Sequence, residues 1–428
     1  MFSLQRAHAN GDRYLLLLGA DLMLRERAIV SALRAYPGPV IGMTEDPISG
    51  ANRYFDHVLP ASSYKAKPAL KAVEEFERQT GLKPDAVVPI YEMNLHASVA
   101  IAHHYGLPAL SDEALRRSRD KHTMKVAFEE AGVPCARHRL FSTAEELRAI
   151  AAELEFPLVL KPRDFAGSVG IIRVNAADEL DDAYEHCRSS LMEVAGTFDL
   201  TDGRFQAEEF FVSTHEVSVE VINYEGSRAV LAVTDKSKSA PPYFAETGQL
   251  VPSRETDNAA LREIALKACE ALHIDRGIAH VEILVNGDEL SVVEVGARPG
   301  GDGIMDLIDR VYGFSPYDLH IAAYRRTIEQ LPPIPDMPQG IAATGFLKAA
   351  GGTITGVHQP QGFDPVERAL YVTAKPGDHS RPPTSYLGRE GVIECFERGR
   401  GPGDSQEFQA RVAELAAAHS QTLFSVEP

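Results

Sequence analysis

Two glutamates stand where a β-hairpin could bring their carboxylates together. Glu282 and Glu294 each lie in an apolar run of strand type, and Asn286-Gly287 between the runs is a strong hairpin turn signal. Because side chains alternate along a strand, both carboxylates can face one side of neighbouring strands. They would repel each other unless a cation lay between them, and Mg²⁺ fits because it takes hard oxygen ligands together with phosphates. The alternative is a pair of ordinary strand glutamates that face solvent.

An arginine follows the second glutamate closely enough for both to act on one ligand. Arg298 lies in Glu294-Val-Gly-Ala-Arg-Pro-Gly-Gly301. Its guanidinium could contact the phosphates that the metal binds, or hold the oxyanion of a tetrahedral intermediate. The glycines would let the backbone approach a ligand closely. A surface arginine at the end of a strand is the alternative.

Two other segments carry weaker signals. The loop from Lys161 to Gly170 has small residues between two predicted strands, so its backbone N–H groups could fold over phosphates. It is not a Walker motif, and an ordinary hairpin explains it about as well. The segment Gln206–Phe211, followed by Glu216, could present backbone groups to an adenine and a carboxylate to a ribose.

The composition excludes several classes of protein. The chain has 428 residues, which allows two to four domains, and its formal net charge of −18 argues against a nucleic-acid partner. The four cysteines form no CxxC pair, so they are interpreted as reduced thiols of a cytoplasmic protein. The apolar run Tyr14–Ala20 is too short to span a membrane and is expected to be a buried strand.

The order of predicted elements indicates how these residues are positioned. The first hundred or so residues alternate strand and helix, which predicts a parallel sheet covered by helices, and the turn at Gly19 lacks the GxGxxG pattern of dinucleotide sites. A second unit begins near Ser111. From Arg204 the pattern changes to antiparallel strands, of which Phe205–Phe211 is expected to be the first. The tail from about Pro332 is rich in Pro and Gly.

Taken together and in this order, the glutamate hairpin, Arg298, the glycine loop and the acidic strand end resemble the ATP-grasp superfamily. The resemblance runs from about residue 12 to beyond 360 and is closest to the L-amino-acid ligases, the dipeptide synthetase group. It implies an α/β and α+β multidomain protein. Residues 1–110 would be an N-terminal parallel α/β pre-ATP-grasp domain and 111–195 the lid. Residues 196–330 would be the antiparallel-sheet nucleotide- and metal-binding domain, and 331–428 a C-terminal subdomain packed on the core.

The resemblance also implies the roles of individual residues. ATP would be contacted by Lys121, Lys161, Gly167, Ser168, Gly170, Glu208, Glu209, Phe211, Glu216 and Lys236. Lys161 would bridge the adenine and the α-phosphate, and the glycine loop would close over the phosphates. Lys236 would reach the γ-phosphate, with Lys238 as the competing candidate. Glu282 and Glu294 match the ligands of Mg²⁺, with Mn²⁺ as a substitute, and Arg298 matches the catalytic arginine.

The chemistry implied is ligation of a carboxylate to an amine through an acyl phosphate, with release of ADP and phosphate. Many family members have Asn where this chain has Gly296, so the second metal site would be completed differently. Glu92 and Glu246 are candidates for holding a substrate ammonium group, with solvated loop glutamates as the alternative. Asp302 is expected to line the substrate pocket and to favour a polar or diamino substrate, or else to cap the helix that follows.

The substrates would be a small acid and a small amine, and a homodimer is compatible with the sequence. Two other functions stay open at this point. One is carboxylation through carboxyphosphate, which would need bicarbonate and a different acceptor. The other is a non-catalytic nucleotide-binding regulator, which would be expected to lack Arg298 or one of the metal glutamates.

Overall fold

The computed structural model describes residues 11–20, 24–45, 53–198, 200 and 203–428. The first ten residues of the predicted N-terminal domain therefore lie outside the described part of the chain. Among the described residues, no helix is long and apolar enough to cross a membrane.

The N-terminal unit is a parallel sheet of four strands with the order β3-β2-β1-β4. Its strands are β1 (Arg13–Leu18), β2 (Val40–Met43), β3 (His57–Leu59) and β4 (Lys83–Pro89). Its helices are α1 (Glu26–Ala35), α2 (Ala66–Thr80) and α3 (Leu95–His104). The apolar run of β1 is buried throughout, as expected for a strand covered on both faces. The predicted parallel α/β unit is confirmed.

A small antiparallel sheet of four strands forms the second unit, with the order β5-β8-β6-β7. Its strands are β5 (His138–Phe141), β6 (Leu158–Pro162), β7 (Ile172–Val174) and β8 (Phe205–Glu209). Its helices are α4 (Asp112–Arg119), α5 (Lys121–Ala131), α6 (Ala144–Ala151) and α7 (Leu180–Val194). The predicted capping box of Thr143 and Glu146 begins α6. The expectation that β8 belongs to the large sheet was wrong, because β8 pairs with β5 and β6.

An antiparallel sheet of eight strands runs through the rest of the chain, with the order β13-β12-β9-β10-β11-β14-β18-β16. Its strands are β9 (His215–Tyr224), β10 (Ser227–Lys238), β11 (Glu246–Val251), β12 (Arg276–Asn286), β13 (Glu289–Gly296), β14 (Gly340–Leu347), β16 (Glu367–Val372) and β18 (Gly391–Arg398). The helices between these strands are α8 (Ala259–Ala271), α9 (Ile304–Tyr312) and α10 (Pro316–Arg325).

The C-terminal segment is continuous with this sheet rather than only packed against it. Strand β14 pairs with β11 in antiparallel register, so β14, β18 and β16 extend the sheet that begins at the glutamate hairpin. A separate small sheet consists of β15 (Gly352–Val357), β17 (His379–Ser380) and β19 (Phe424–Glu427), and α11 (Ser405–Leu423) packs on β14. The large sheet therefore carries Lys236, Glu282 and Glu294, and the small antiparallel sheet carries Lys161, Glu208 and Glu209.

Candidate active site

A cavity of about 610 Å³ lies between the small sheet and the large sheet. Among its lining residues are eleven that the sequence singled out: Lys161, Gly167, Ser168, Glu208, Glu209, Phe211, Glu216, Lys236, Glu246, Glu282 and Glu294. Lys121 pairs with the lining residue Glu294. The other predicted site residues, Gly170, Glu92, Arg298 and Asp302, are not among the lining residues. The structure thus brings most of the predicted nucleotide site together around one space.

The glutamate hairpin has the predicted geometry. Glu282 on β12 stands directly opposite Glu294 on β13, next to a bulge in the register. Each carboxylate has its own lysine: Lys236 bonds to Glu282, and Lys121 Nζ lies 3.1 Å from Glu294 Oε2. The side chains are only 15% and 24% exposed, so the alternative of solvent-facing glutamates was wrong.

The hairpin carboxylates fit a magnesium ion bound together with phosphates. Burial alone would raise the pKa of Glu282, but Lys236 and His280 hold it well below its ordinary value, so the carboxylate is charged. No cluster of three or more His, Cys, Asp or Glu side chains with metal-site geometry occurs among the described residues. A two-carboxylate site suits Mg²⁺, which keeps several waters and takes substrate phosphates as further ligands.

Two lysines meet one buried acid at the end of the cavity next to the small sheet. Glu208 Oε1 lies 2.6 Å from Lys161 Nζ, and its Oε2 lies 3.5 Å from Lys125 Nζ. Burial would raise the pKa of Glu208, yet the two ammonium groups lower it to about 2. Lys125 was missed at the sequence level, although Lys121 and Lys125 are one helical turn apart. Glu209 points the other way, to Arg137 at 2.7 Å.

Lys236 is the lysine that contacts Glu282, one of the two predicted metal ligands. It bonds to Glu282, lies 2.6 Å from Glu246 and 3.4 Å from Glu216, and its side chain is 1% exposed. Lys238 pairs with Glu216 alone and is 25% exposed. Burial would lower the pKa of Lys236, but the three carboxylates raise it well above the ordinary value. Of the two candidate lysines, only Lys236 contacts a hairpin carboxylate.

The glycine loop is held over the cavity from two sides. Ser168 Oγ donates to the carbonyl of Phe244 at 3.0 Å, and the backbone N–H of Tyr386 donates to the carbonyl of Gly167 at 3.2 Å. Gly167 has φ +69°, and a Cβ there would come within 2.3 Å of the Tyr386 ring. Glycine is required at this position by both its backbone conformation and its contact with the C-terminal segment.

The predicted catalytic arginine is part of a buried ion network. Arg298 Nε donates to Glu92 Oε2 at 3.1 Å, and Arg119 Nη1 donates to Glu92 Oε1 at 3.0 Å. Arg119 also bonds to Asp164 at 2.5 Å. Gly296 is explained by this arrangement, because a Cβ at that position would lie 2.7 Å from Glu92 Oε2. An asparagine there would collide with the group that holds the arginine.

Asp302 does not cap the following helix, so that alternative was wrong. Gly303 is the N-cap residue of α9, and Asp302 has φ +58°. The Asp302 carboxylate instead accepts a hydrogen bond of 2.7 Å from Arg389, whose guanidinium lies 3.7 Å from the centre of the Phe346 ring. The C-terminal segment therefore supplies a cation to this cluster.

A histidine two residues before Glu282 was also missed. His280 Nδ1 lies 2.5 Å from Glu220 Oε1, and its Nε2 lies 3.3 Å from Glu282 Oε1. Burial would lower the pKa of His280, but Glu220 and Glu282 raise it to about 9. The alternation of His280 and Glu282 on one face of β12 was the available signal.

Comparisons with known proteins show which proteins the chain is similar to. Residues 154–306 match the ATP-grasp domain family. The alanine–anticapsin ligase of Bacillus subtilis is 30% identical over 283 residues, which is 60% of this chain and 58% of that protein. The chain thus aligns with less than two thirds of the length of that relative.

Solved structures show the same fold over nearly the whole chain. An L-amino acid ligase from Bacillus licheniformis superposes with a TM-score of 0.75 at 20% identity, covering 97% of this chain and 99% of the other. An N5-carboxyaminoimidazole synthetase from Staphylococcus aureus, solved with ADP, superposes with a TM-score of 0.68 at 15% identity, covering 94% and 97%.

Proposed function

Because residues 154–306 match the ATP-grasp domain family, we propose that the chain is an ATP-dependent carboxylate–amine ligase. It activates a carboxylate as an acyl phosphate and joins it to an amine, with release of ADP and phosphate. The observation that carries the proposal is the convergence of two opposed glutamates and one buried arginine: the pKa of Arg298 is raised by Glu92, Glu220, Glu282 and Glu294 despite its burial.

The two buried lysines of the cavity would bind the nucleotide. Lys161 and Lys236 now neutralise carboxylates within the cavity, and phosphate oxygens would take over part of that role. Glu282 and Glu294 would hold Mg²⁺, whose charge would offset that of the β- and γ-phosphates, and Mn²⁺ would substitute for it. Because phosphoryl transfer depends mainly on positioning and charge, this donor set is sufficient for activation of a carboxylate.

Arg298 would act on the second half of the reaction. When an amine attacks the acyl phosphate, negative charge develops on the former carbonyl oxygen, and a preoriented guanidinium stabilises it. Glu92 fixes the orientation of Arg298 through the Nε hydrogen bond, and Arg119 fixes Glu92 in turn. The arginine would therefore pay little reorganisation cost during the reaction.

The amine substrate would be held by the same acids that the sequence singled out. Glu92 accepts from two arginines, but a carboxylate offers about four acceptor sites, so an ammonium group could add a further bond. Glu246 contacts Lys236 and Gln249 and borders the cavity. Glu92 contacts Arg298 and Glu246 contacts Lys236, so both glutamates lie beside groups proposed to act on the carboxylate substrate.

The test is phosphate release with ATP and Mg²⁺ across a matrix of amino acids and small acids and amines, with mass spectrometry of the products. We expect phosphate release to require both an acid and an amine, and an amide or dipeptide to accumulate. Phosphate release that needs only bicarbonate and an acceptor would instead identify carboxylation, the reaction type that the similarity to the carboxyaminoimidazole synthetase makes the second candidate. Nucleotide binding without turnover under any pairing would contradict both.

A further inference from the structure

A row of buried polar side chains crosses the large sheet, beginning at Glu216 and Lys236, which line the nucleotide cavity. Glu216, Lys236, Gln249, Thr344 and Glu394 stand directly opposite one another on β9, β10, β11, β14 and β18. Directly opposed residues in an antiparallel sheet share a face, so the five side chains line one side. Each is at most 7% exposed. A buried face of this length would ordinarily be apolar.

The two neutral members of the row, Gln249 and Thr344, each have an oxygen atom without a hydrogen-bond partner among the described residues. Gln249 Nε2 donates to Glu246 Oε2 at 2.8 Å, which leaves Gln249 Oε1 without a donor. The hydroxyl oxygen of Thr344 likewise has no hydrogen-bond partner. The residues are 2% and 3% exposed. A buried polar atom without a partner is costly, and these two lie on directly paired strands.

Their place in the fold suggests what would pair with them. Gln249 stands directly opposite Lys236, which lines the nucleotide cavity, and Thr344 is one strand further away. With strands about 5 Å apart, Gln249 and Thr344 stand about 5 and 10 Å from Lys236 across the sheet. A Cβ on Gly303 would lie 3.4 Å from Thr344 Cγ2, so the loop after Arg298 covers this end of the row.

Charged groups near the two oxygens already have partners of opposite sign. Glu246 pairs with Lys236 at 2.6 Å, and Asp302 pairs with Arg389 at 2.7 Å. At the far end of the row, Glu394 bonds to Arg310. Because each of these charged groups already has a partner, none of them is free to act as the counter-ion of a charged ligand group. A charged group bound here would lose its hydration without gaining an ion pair from them.

We propose that this part of the row, Gln249 and Thr344, selects a substrate whose side chain is neutral and donates a hydrogen bond, namely a hydroxyl or a carboxamide. The inference rests on the proposed ligase function and names the substrate class of the same site. Gln249 Oε1 requires a donor, which an ionised carboxylate cannot supply. Thr344 can both donate and accept. A hydrocarbon side chain would leave both oxygens unpaired.

The first experiment uses the intact protein and compares side chains of matched size. Glutamine, glutamate, methionine and lysine form one series, and threonine and valine form a second. Binding is measured by calorimetry in the presence of ADP and Mg²⁺, and turnover by phosphate release. We expect glutamine or threonine to be preferred over the charged and apolar members of its series by at least tenfold in kcat/KM, because a site built for a hydrogen bond rejects an analogue that lacks it.

The second experiment removes the oxygens one at a time. Thr344→Val keeps the shape and removes the hydroxyl, Thr344→Ser restores it, and Gln249→Met removes the amide. Each removal should lower kcat/KM for the preferred polar substrate about threefold to tenfold and leave the apolar analogue unchanged or improved. Thr353→Val is the matched control, because Thr353 is exposed on β15 in the separate small sheet.

The outcomes separate the inference from the proposed function. If no acid and amine pair stimulates phosphate release, the ligase function fails. If turnover occurs but apolar or charged members are preferred, or Thr344→Val changes stability without changing the preference, the row is a structural feature satisfied by water and the inference is overturned. Should the variants not fold, the preference and binding series on the intact protein decide.

Discussion

The residues Glu282 and Glu294 stand directly opposite each other on β12 and β13, yet their carboxylates pair with lysines from two different elements, Lys236 of β10 and Lys121 of α5. Lys236 belongs to the large sheet and Lys121 to the helix that begins beside the small sheet. The ion pair of Glu294 with Lys121 therefore links the large sheet to the unit that contains the small antiparallel sheet. Neutralising one carboxylate should affect catalysis before it affects folding.

We predict that Glu294→Gln abolishes ATP-dependent phosphate release, by at least a hundredfold, and changes the free energy of unfolding by less than about 1 kcal/mol. The reason is that an amide cannot replace the charge of a magnesium ligand, whereas a partly exposed ion pair contributes little to stability. Glu289→Gln on the same strand, exposed, is the control. Wild-type turnover by the Glu294 variant with Mg²⁺ would show that the metal assignment is wrong.

The lid loop should change its protection when nucleotide binds. Residues 163–172 connect β6 to β7. Arg163 and Asp164 at the start of the loop form ion pairs with Asp120 and Arg119, whereas Gly167 and Ser168 each make one hydrogen bond, to Tyr386 and Phe244. Closure protects a hydrolysable intermediate from water, so we expect slower hydrogen exchange in this segment with an ATP analogue and Mg²⁺. Strand β9 in the sheet centre serves as the internal reference. Equal exchange in both states would contradict a phosphate-closing loop.

The ion pair of Asp302 and Arg389 should matter more for turnover than for stability. The Asp302 side chain is 37% exposed, so the pair contributes at most about 1 kcal/mol after solvent screening. Asp302→Ala and Arg389→Met should each lower kcat/KM, and the double variant should be no worse than the poorer single one. A double-mutant cycle on kcat/KM and on urea unfolding measures this coupling.

Arg34→Met is the matched control for that cycle. It breaks an exposed ion pair between Arg34 of α1 and Asp318 of α10. Purely additive effects on kcat/KM would mean that Asp302 and Arg389 act independently. In that case Asp302 would be free to attract a second amine, as the sequence alone suggested.

His320 should make the fold sensitive to acid. Its Nδ1 accepts from the N–H of Ile278 at 2.9 Å and its Nε2 donates to the carbonyl of Pro89 at 2.8 Å, which requires the neutral ring. Burial lowers the pKa of His320 to about 4, against 6.5 when unfolded. The neutral ring therefore stabilises the fold above pH 6.5, and about 3 kcal/mol is lost as the pH falls through 4.

The measurement is urea unfolding at several pH values between 7.5 and 4. His320→Ala should be less stable at neutral pH and should lose the part of the pH slope that this ring contributes. His379→Ala, exposed on β17, should keep the wild-type slope. An unchanged slope in the His320 variant would contradict a neutral buried ring.

Features encoded within a short segment could be predicted from the sequence. Asn286-Gly287 forms the turn that places Glu282 opposite Glu294, and Thr143 with Glu146 forms the predicted capping box. Both depend on local spacing, which strand alternation and helix capping determine.

Features that join distant segments could not be predicted. Gly296 is small because Glu92, from the N-terminal unit, occupies the space beside it, and Arg389 reaches Asp302 from the C-terminal segment. Strand β8 joined the small sheet for the same reason, since its partners come from earlier in the chain. No periodicity or spacing rule reports a contact between segments that meet only after folding.

The pairing of β11 with β14 has a mechanical consequence. A strand that is hydrogen-bonded into a sheet cannot swing independently without breaking its ladder, so the hairpin of Glu282 and the strand that carries Thr344 form one rigid frame. We therefore expect the site to open for ATP by a tilt of the small antiparallel sheet, which carries Lys161 and the loop of Gly167. The contacts of Lys161 and Gly167 with the triphosphate would weaken. The surface formed by Gln249 and Thr344, which is proposed to contact the substrate side chain, would keep its shape. Nucleotide exchange and substrate choice would thus be governed by different parts of the molecule.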